Sequence, residues 1–176
     1  MTIKKKTLDD KILIGRNEWC QLPDLGIPLI KAKIDTGAKT SAIHAFNIKE
    51  ITNNNKAWVC FDVYPVQGNN EIIVNCRSLI IDKRLITSSN GHKEQRYVIA
   101  TTLTLDNFSW NIELTLSNRD LLRYRMLIGR EALDNRTLIN PNISCNQQKY
   151  SNDKVISIYS MQENNYCSSN IEESIG

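Results

Sequence analysis

Hydrophobic and polar residues alternate over much of this chain, and the alternation predicts strands. From Leu29 to Ile34 the apolar Ile30, Ala32 and Ile34 share one face, while Lys31 and Lys33 take the other. "FSWNIELTL" repeats the pattern most clearly, with Phe108, Trp110, Ile112, Leu114 and Leu116 on one side. "KILIG" precedes these as a short strand, followed by a turn around Pro23-Asp24 and Gly26. "AWVCFDVYPV" and "EIIVNCRSLII", separated by Gln67-Gly68-Asn69-Asn70, predict a β-hairpin over residues 57–81. Asn90-Gly91, a pair that tolerates positive φ, predicts a second turn between a strand near Leu79–Ile86 and "QRYVIATTLTL". A short apolar strand at Met126–Ile128 breaks at Gly129, and helical turns follow from Arg130 to Asn135. Many short strands with little helix predict an all-β closed barrel or sandwich.

The pattern stops at Pro141. Residues 142–176 are rich in Asn, Ser and Gln without a sustained period, which predicts a mostly disordered tail, pinned at most around "VISIY". Residues 1–11 read as a flexible, charged lead-in. The expected globular domain is therefore residues 12–141, and no internal repeat is visible.

Composition changes this picture little. The chain of 176 residues is 41% hydrophobic and 23% charged, as expected of a soluble globular domain. The net charge of +3 is too small to argue for nucleic acid. It is unevenly spread: from Pro141 on, two lysines oppose four carboxylates, leaving 20 basic against 15 acidic residues before it. No apolar run suits a membrane span, and "MTIKKKTLDDKILIG" does not read as a secretory signal. Five scattered cysteines without a CxxC pair signal neither a disulfide framework nor a zinc ribbon, so the expected location is the cytoplasm.

The candidate chemistry lies in "IKAKIDTGAKTSAIHA", where a strand delivers Asp35 to a Thr36-Gly37 corner. An Asp in an ordinary Asx-type turn fits this triplet. So does a carboxylate placed for catalysis, braced by the Thr36 hydroxyl and approached by the Gly37 amide. Two carboxylates within ~3 Å share a proton, so one can activate water while the other protonates the amide carbonyl. With one such triplet, the second carboxylate must come from a symmetric partner. Other classes are weaker. The two histidines, His44 and His92, form no zinc motif, no nucleophile elbow is present, and no phosphate-binding glycine loop occurs. Arg119, Arg123, Arg125 and Arg130 crowd the "MLIG" segment, with Lys93 and Arg96 after Gly91. They suit an acidic peptide or form a solvated face in which Arg130 pairs with Asp134.

Four segments resemble a known family: "QLPDLGIPLIKAKIDTGAKTSAIHAF", "GHKEQRYVIATTLTL", "WNIELTLSNRD" and "RMLIGREAL". Together they are similar to the bacterial proteins known as ATP-dependent zinc proteases, grouped with the retropepsin-like aspartic peptidases. The resemblance implies a retropepsin-like closed barrel with one short helix, in which apolar-apolar-Gly packs beside the catalytic loop. It implies Asp35 as catalytic carboxylate, with Thr36 and Gly37 shaping its loop. Lys39, Thr40, Ser41, His44, His92, Glu94, Arg96 and Arg125 are placed by it near a substrate cleft. It further implies a homodimer, a glutamate-rich peptide substrate, and association with an ATP-grasp ligase that adds glutamates to a ribosomal protein. No residue pattern supports a metal or another cofactor, and no ATP-binding loop is present. The alternatives are a non-catalytic module that binds a peptide or a ligase, and a metallohydrolase built on His44, His92 and a carboxylate.

Overall fold

A computed structural model describes residues 11–87, 91–118 and 123–172, with side chains up to residue 162. Arg119 and the Asn90 turn position lie outside the described residues. The architecture is all-β. Strands β1 (Ile12–Ile14), β2 (Asn17–Leu22) and β3 (Ile27–Asp35) open the chain, with a 3-10 turn at Pro23–Leu25 closed by Gly26 at φ +67°. The alternation of β3 is the predicted one: Ile30, Ala32 and Ile34 are buried, and Lys33 is exposed. β4 (Ser41–His44) and β5 (Phe46–Asn53) come next. β6 (Lys56–Val63) and β7 (Val74–Leu79) form the predicted hairpin. β8 (Asp82–Thr87) and β9 (Lys93–Leu105) form another, followed by β10 (Phe108–Ser117), β11 (Met126–Gly129), the single-turn helix α1 (Arg130–Leu133) and β12 (Thr137–Ile139).

Six strands close on themselves. Neighbouring strands pair in the order β10, β4, β11, β3, β2, β9, and β9 returns to β10 along eight register positions; β8 extends the sheet beyond β9. Closure removes the unpaired edges that an open sheet of this length would expose. The main core fills the ring and spreads under the sheet β5-β6-β7, with Ile30, Ile43, Leu103, Leu114 and Phe61 among its members. Trp110 follows the predicted inward face, but Phe108, at the strand's start, is half exposed.

β3 and β4 are consecutive in sequence but not neighbours in space. β11 inserts between them, parallel to β3 and antiparallel to β4. The five residues joining β3 to β4 must therefore wrap over the end of β11. Gly129 permits this: a Cβ there would lie 2.6 Å from the Thr40 carbonyl carbon and 2.9 Å from the Ser41 amide nitrogen.

Two expectations are corrected. β5 was not foreseen, because its polar, mostly exposed sequence lacks a clean alternation; Asn54 and Asn55, both at positive φ, turn it into β6. The segment after Pro141, expected to be mostly disordered, packs on the barrel. Arg16 N–H donates to the Ile143 carbonyl, Cys145 N–H donates to Asn17, and the buried Glu18 carboxylate accepts from Gly15, Asn146 and Gln147. Helix α2 (Asn152–Glu172) then makes a second helix where one was expected. Val155 and Tyr159, one turn apart, bury against Trp19, Leu29 and Val66 in a separate cluster. No helix among the described residues is long and apolar enough to cross a membrane.

Candidate active site

Asp35 is the last residue of β3, and Gly129 is its register partner on β11. The carboxylate is half-buried. Its Oδ1 accepts the Gly37 amide at 3.1 Å and the Ala38 amide at 3.3 Å, and the Ala38 N–H also reaches the Asp35 carbonyl. This is an Asx-type turn in local geometry, so the ordinary and the chemical reading of the triplet share one conformation. Gly37 does not adopt positive φ; what it provides is closeness, since a Cβ there would sit 3.3 Å from Oδ1. Thr36 contributes its carbonyl, which accepts from Arg130, and its side chain is exposed.

The corner is stitched to the β11–α1 junction. Arg130 N–H donates to the Ala38 carbonyl and Glu131 N–H to that of Lys39, at 2.9 and 3.1 Å. The Ser41 hydroxyl accepts the buried Gly129 amide, and Thr115 donates to the Ser41 carbonyl. Lys39 and Thr40 both reach the Glu131 carboxylate. Trp110 donates its indole N–H to the Ala132 carbonyl, holding α1 against β10.

Above the corner lies a cavity of about 830 Å³. Asp35, Lys39 and Thr40 line one side, and Leu85, Ile86 and Thr87 of β8 the other. Arg84 and Arg96, opposite each other in the β8–β9 register, bring two guanidinium groups to its wall. Arg96 is buried and pairs with Glu94 at 2.7 Å. Arg84 is held between Asp82 of its own strand and Glu113 of β10. On the opposite face of β8, Lys83 bonds Glu50 of β5, which also accepts the Tyr97 hydroxyl. Glu50 and Asp82 are thereby held below the usual carboxylate range, chiefly by the hydrogen bonds from Lys83 and Arg84 respectively.

Of the residues placed near a cleft from sequence, Lys39, Thr40 and Arg96 line this cavity and Glu94 buttresses Arg96. Ser41 lines an adjoining polar pocket with Lys39 and Arg84. His44 and Arg125 are elsewhere. β4 runs away from Asp35 in register with β10, so that His44 pairs with Ser117, stacks on Phe46 and shares a small pocket with Arg125. Arg125 itself bonds Asn70 and faces the Tyr64 ring. His92 precedes β9 and is not among the cavity's lining residues. No group of three or more metal-ligating side chains comes together among the described residues. Sequence reasoning missed Arg84, Glu113 and the β8 wall. Alternation in β8 signals a strand, but not which face covers Asp35.

Residues 13–150 match the family described as RimB-like, retropepsin-like aspartic endopeptidase RimB. A "Probable alpha-L-glutamate ligase" of Shewanella pealeana is 50% identical over 136 residues, covering 77% of this chain and 30% of that protein. A protein of the same name from Desulfotalea psychrophila is 46% identical over 153 residues, 87% of this chain and 33% of its own length. The chain thus spans about a third of these curated relatives. The crystal structure of Lpg0085, a Legionella pneumophila protein of unknown function, superposes with a TM-score of 0.66 at 26% identity, covering 77% of this chain and 98% of that one. With a family match that takes in the Asp35 corner, β11 and the cavity walls, the chain belongs to the RimB-like family of retropepsin-like aspartic endopeptidases.

Proposed function

We propose that the chain is an aspartic-type peptidase that hydrolyses peptide bonds in a glutamate-rich, acidic peptide, working as a cytoplasmic homodimer. The observation that carries this reading is the Asp35 carboxylate, fixed by two backbone amides at the floor of the cavity beneath β8. In the dimer, Asp35 and the partner's Asp35 share one proton. The ionised carboxylate takes a proton from water as its oxygen attacks the peptide carbonyl carbon, and the protonated carboxyl donates to the carbonyl oxygen. Collapse of the tetrahedral diol returns a proton to the leaving nitrogen, giving a carboxylic acid and an amine. The exposure of Thr36 and Gly37 at the loop tip supports a second copy closing that side. Lys39, whose exposed ammonium is only loosely paired with Glu131, supplies positive charge for substrate carboxylates, while Arg84 and Arg96 are engaged with the chain's own Asp82, Glu113 and Glu94.

A glutamate-rich peptide tests the proposal. Asp35→Asn should retain peptide binding and lower the cleavage rate by about a hundred- to ten-thousandfold. Unchanged cleavage would exclude Asp35 as the base. A second reading, a non-catalytic module that holds a peptide or an ATP-grasp ligase, is favoured by the relatives named as ligases, of which this chain spans only a part. Binding of such a peptide with no cleavage by the wild-type dimer selects that reading.

A further inference from the structure

Arg130 sits on the exposed side of the corner, and the sequence offers Asp134 as its local partner. The structure directs its guanidinium elsewhere: Nη1 donates to the Thr36 carbonyl at 3.3 Å and to the Gly37 carbonyl at 3.0 Å. Each carbonyl belongs to a peptide group whose N–H is already engaged. The Thr36 carbonyl is joined to the Gly37 amide and the Gly37 carbonyl to the Ala38 amide, and these two amides both donate to Asp35 Oδ1. One cation therefore pulls on the acceptor ends of the two peptide groups whose donor ends hold the carboxylate. Hydrogen bonds in such chains polarise one another, so a charge at one end strengthens the bond at the other.

We propose that Arg130 is a positioning residue that passes its charge through the 36–37 and 37–38 peptide groups to Asp35 Oδ1, favouring the ionised carboxylate and fixing its orientation. The proposal rests on the reading of Asp35 as the reacting carboxylate, and it assigns a source for that group's ionised form. The other charges around Asp35 are already committed to pairs. Lys39 of the corner pairs with Glu131 of α1, Arg84 of β8 with Asp82 and with Glu113 of β10, and Arg96 with Glu94, both of β9. Lys31 and Lys33 lie on the same side of β3 as Asp35, four and two residues before it; Lys31 lies over the Trp19 ring and Lys33 is exposed. Arg130 alone among these is bonded to the carbonyls of the corner itself.

The test is a ¹³C titration of the Asp35 carboxyl, assigned through its loss in Asp35→Asn, in wild type and in Arg130→Lys, Arg130→Gln and Arg130→Met. Folding is checked by thermal melting, and sedimentation confirms that all are compared in the same oligomeric state. Arg130→Gln and Arg130→Met should raise the midpoint, read as the lower step where two Asp35 titrate as a pair, by about half a pH unit or more, and Arg130→Lys should restore most of the wild-type value. Equal midpoints in folded variants overturn the proposal, as does a rise in Arg130→Lys as large as that in Arg130→Met. No substrate enters the titration, so its outcome is independent of whether the chain cleaves peptides. Conversely, cleavage that survives Asp35→Asn removes the peptidase reading and leaves the titration result standing.

Discussion

Two glycines near Asp35 have different duties. At Gly129 the backbone is extended and would accept any residue, so the constraint is distance: a Cβ would meet backbone atoms of Thr40 and Ser41 that cannot swing aside. Gly129→Ala should therefore destabilise the fold, by about 1–3 kcal/mol, because β11 must move away from the β3–β4 corner. At Gly37 the nearest atom is the Asp35 Oδ1 itself, and a methyl group there displaces the carboxylate from its two amides. Gly37→Ala should leave the urea midpoint nearly unchanged and reduce turnover. Paired denaturation and activity measurements separate the two, and equal stability losses would mean that the corner is a packing feature only. The sequence marks both glycines, but their duties become visible only once β11 is known to lie between β3 and β4. That neighbourhood joins residues more than ninety positions apart.

Among the elements, β3 and β10 are legible in the sequence because each buries one face, so the period of two is written in apolar residues. β5 is not, since its contribution to the core is small. β8 lies between these cases: it is found as a strand, but its role as a cavity wall depends on the ion pairs that fasten it. Lys83–Glu50 holds one face and Arg84–Glu113 the other, with Asp82 also on Arg84. The native carboxylates of Glu50 and Asp82 hold their protons less tightly than in the unfolded chain. Their contribution is thus complete above the unfolded values, about pH 4, and is lost as pH falls through the lower native ones. Amide protection in β8 should consequently fall on acidification before that of β3 or β10. Glu113→Gln should loosen β8 at neutral pH as well. Simultaneous loss of protection in all three strands would show that the pairs do not fasten β8 separately. These pairs are exposed and screened by salt, so the same loosening is expected on raising ionic strength.

At the scale of the whole molecule, the polar segment after Pro141 divides into two parts that the sequence does not distinguish. Its composition hides both: asparagine, serine and glutamine suit a disordered tail, yet here the Asn146 and Gln147 backbone amides complete a buried carboxylate's hydrogen bonds while their side chains donate to the Leu13 carbonyl. Residues 143–147 belong to the body, because Glu18 is fully buried and its oxygens accept three backbone amides, two of them from Asn146 and Gln147. Helix α2 is an addition, held through Val155, through Tyr159 and through the Tyr159 hydroxyl bonded to the Leu29 carbonyl at 2.6 Å. Burial pushes the Tyr159 phenol up, so it stays a donor across the ordinary range of pH. Glu18→Ala leaves one buried and two half-buried amide donors without their acceptor and should cost about 3 kcal/mol. Removing residues 152–176 uncovers Trp19 and Leu29 instead; with two large side chains lost, it should cost roughly 3–5 kcal/mol while the barrel still folds cooperatively. Urea titrations followed by near-ultraviolet dichroism distinguish the two. A truncated chain without a cooperative transition would make α2 part of the barrel's own core. A Glu18→Ala chain as stable as wild type would detach the 143–147 segment from it.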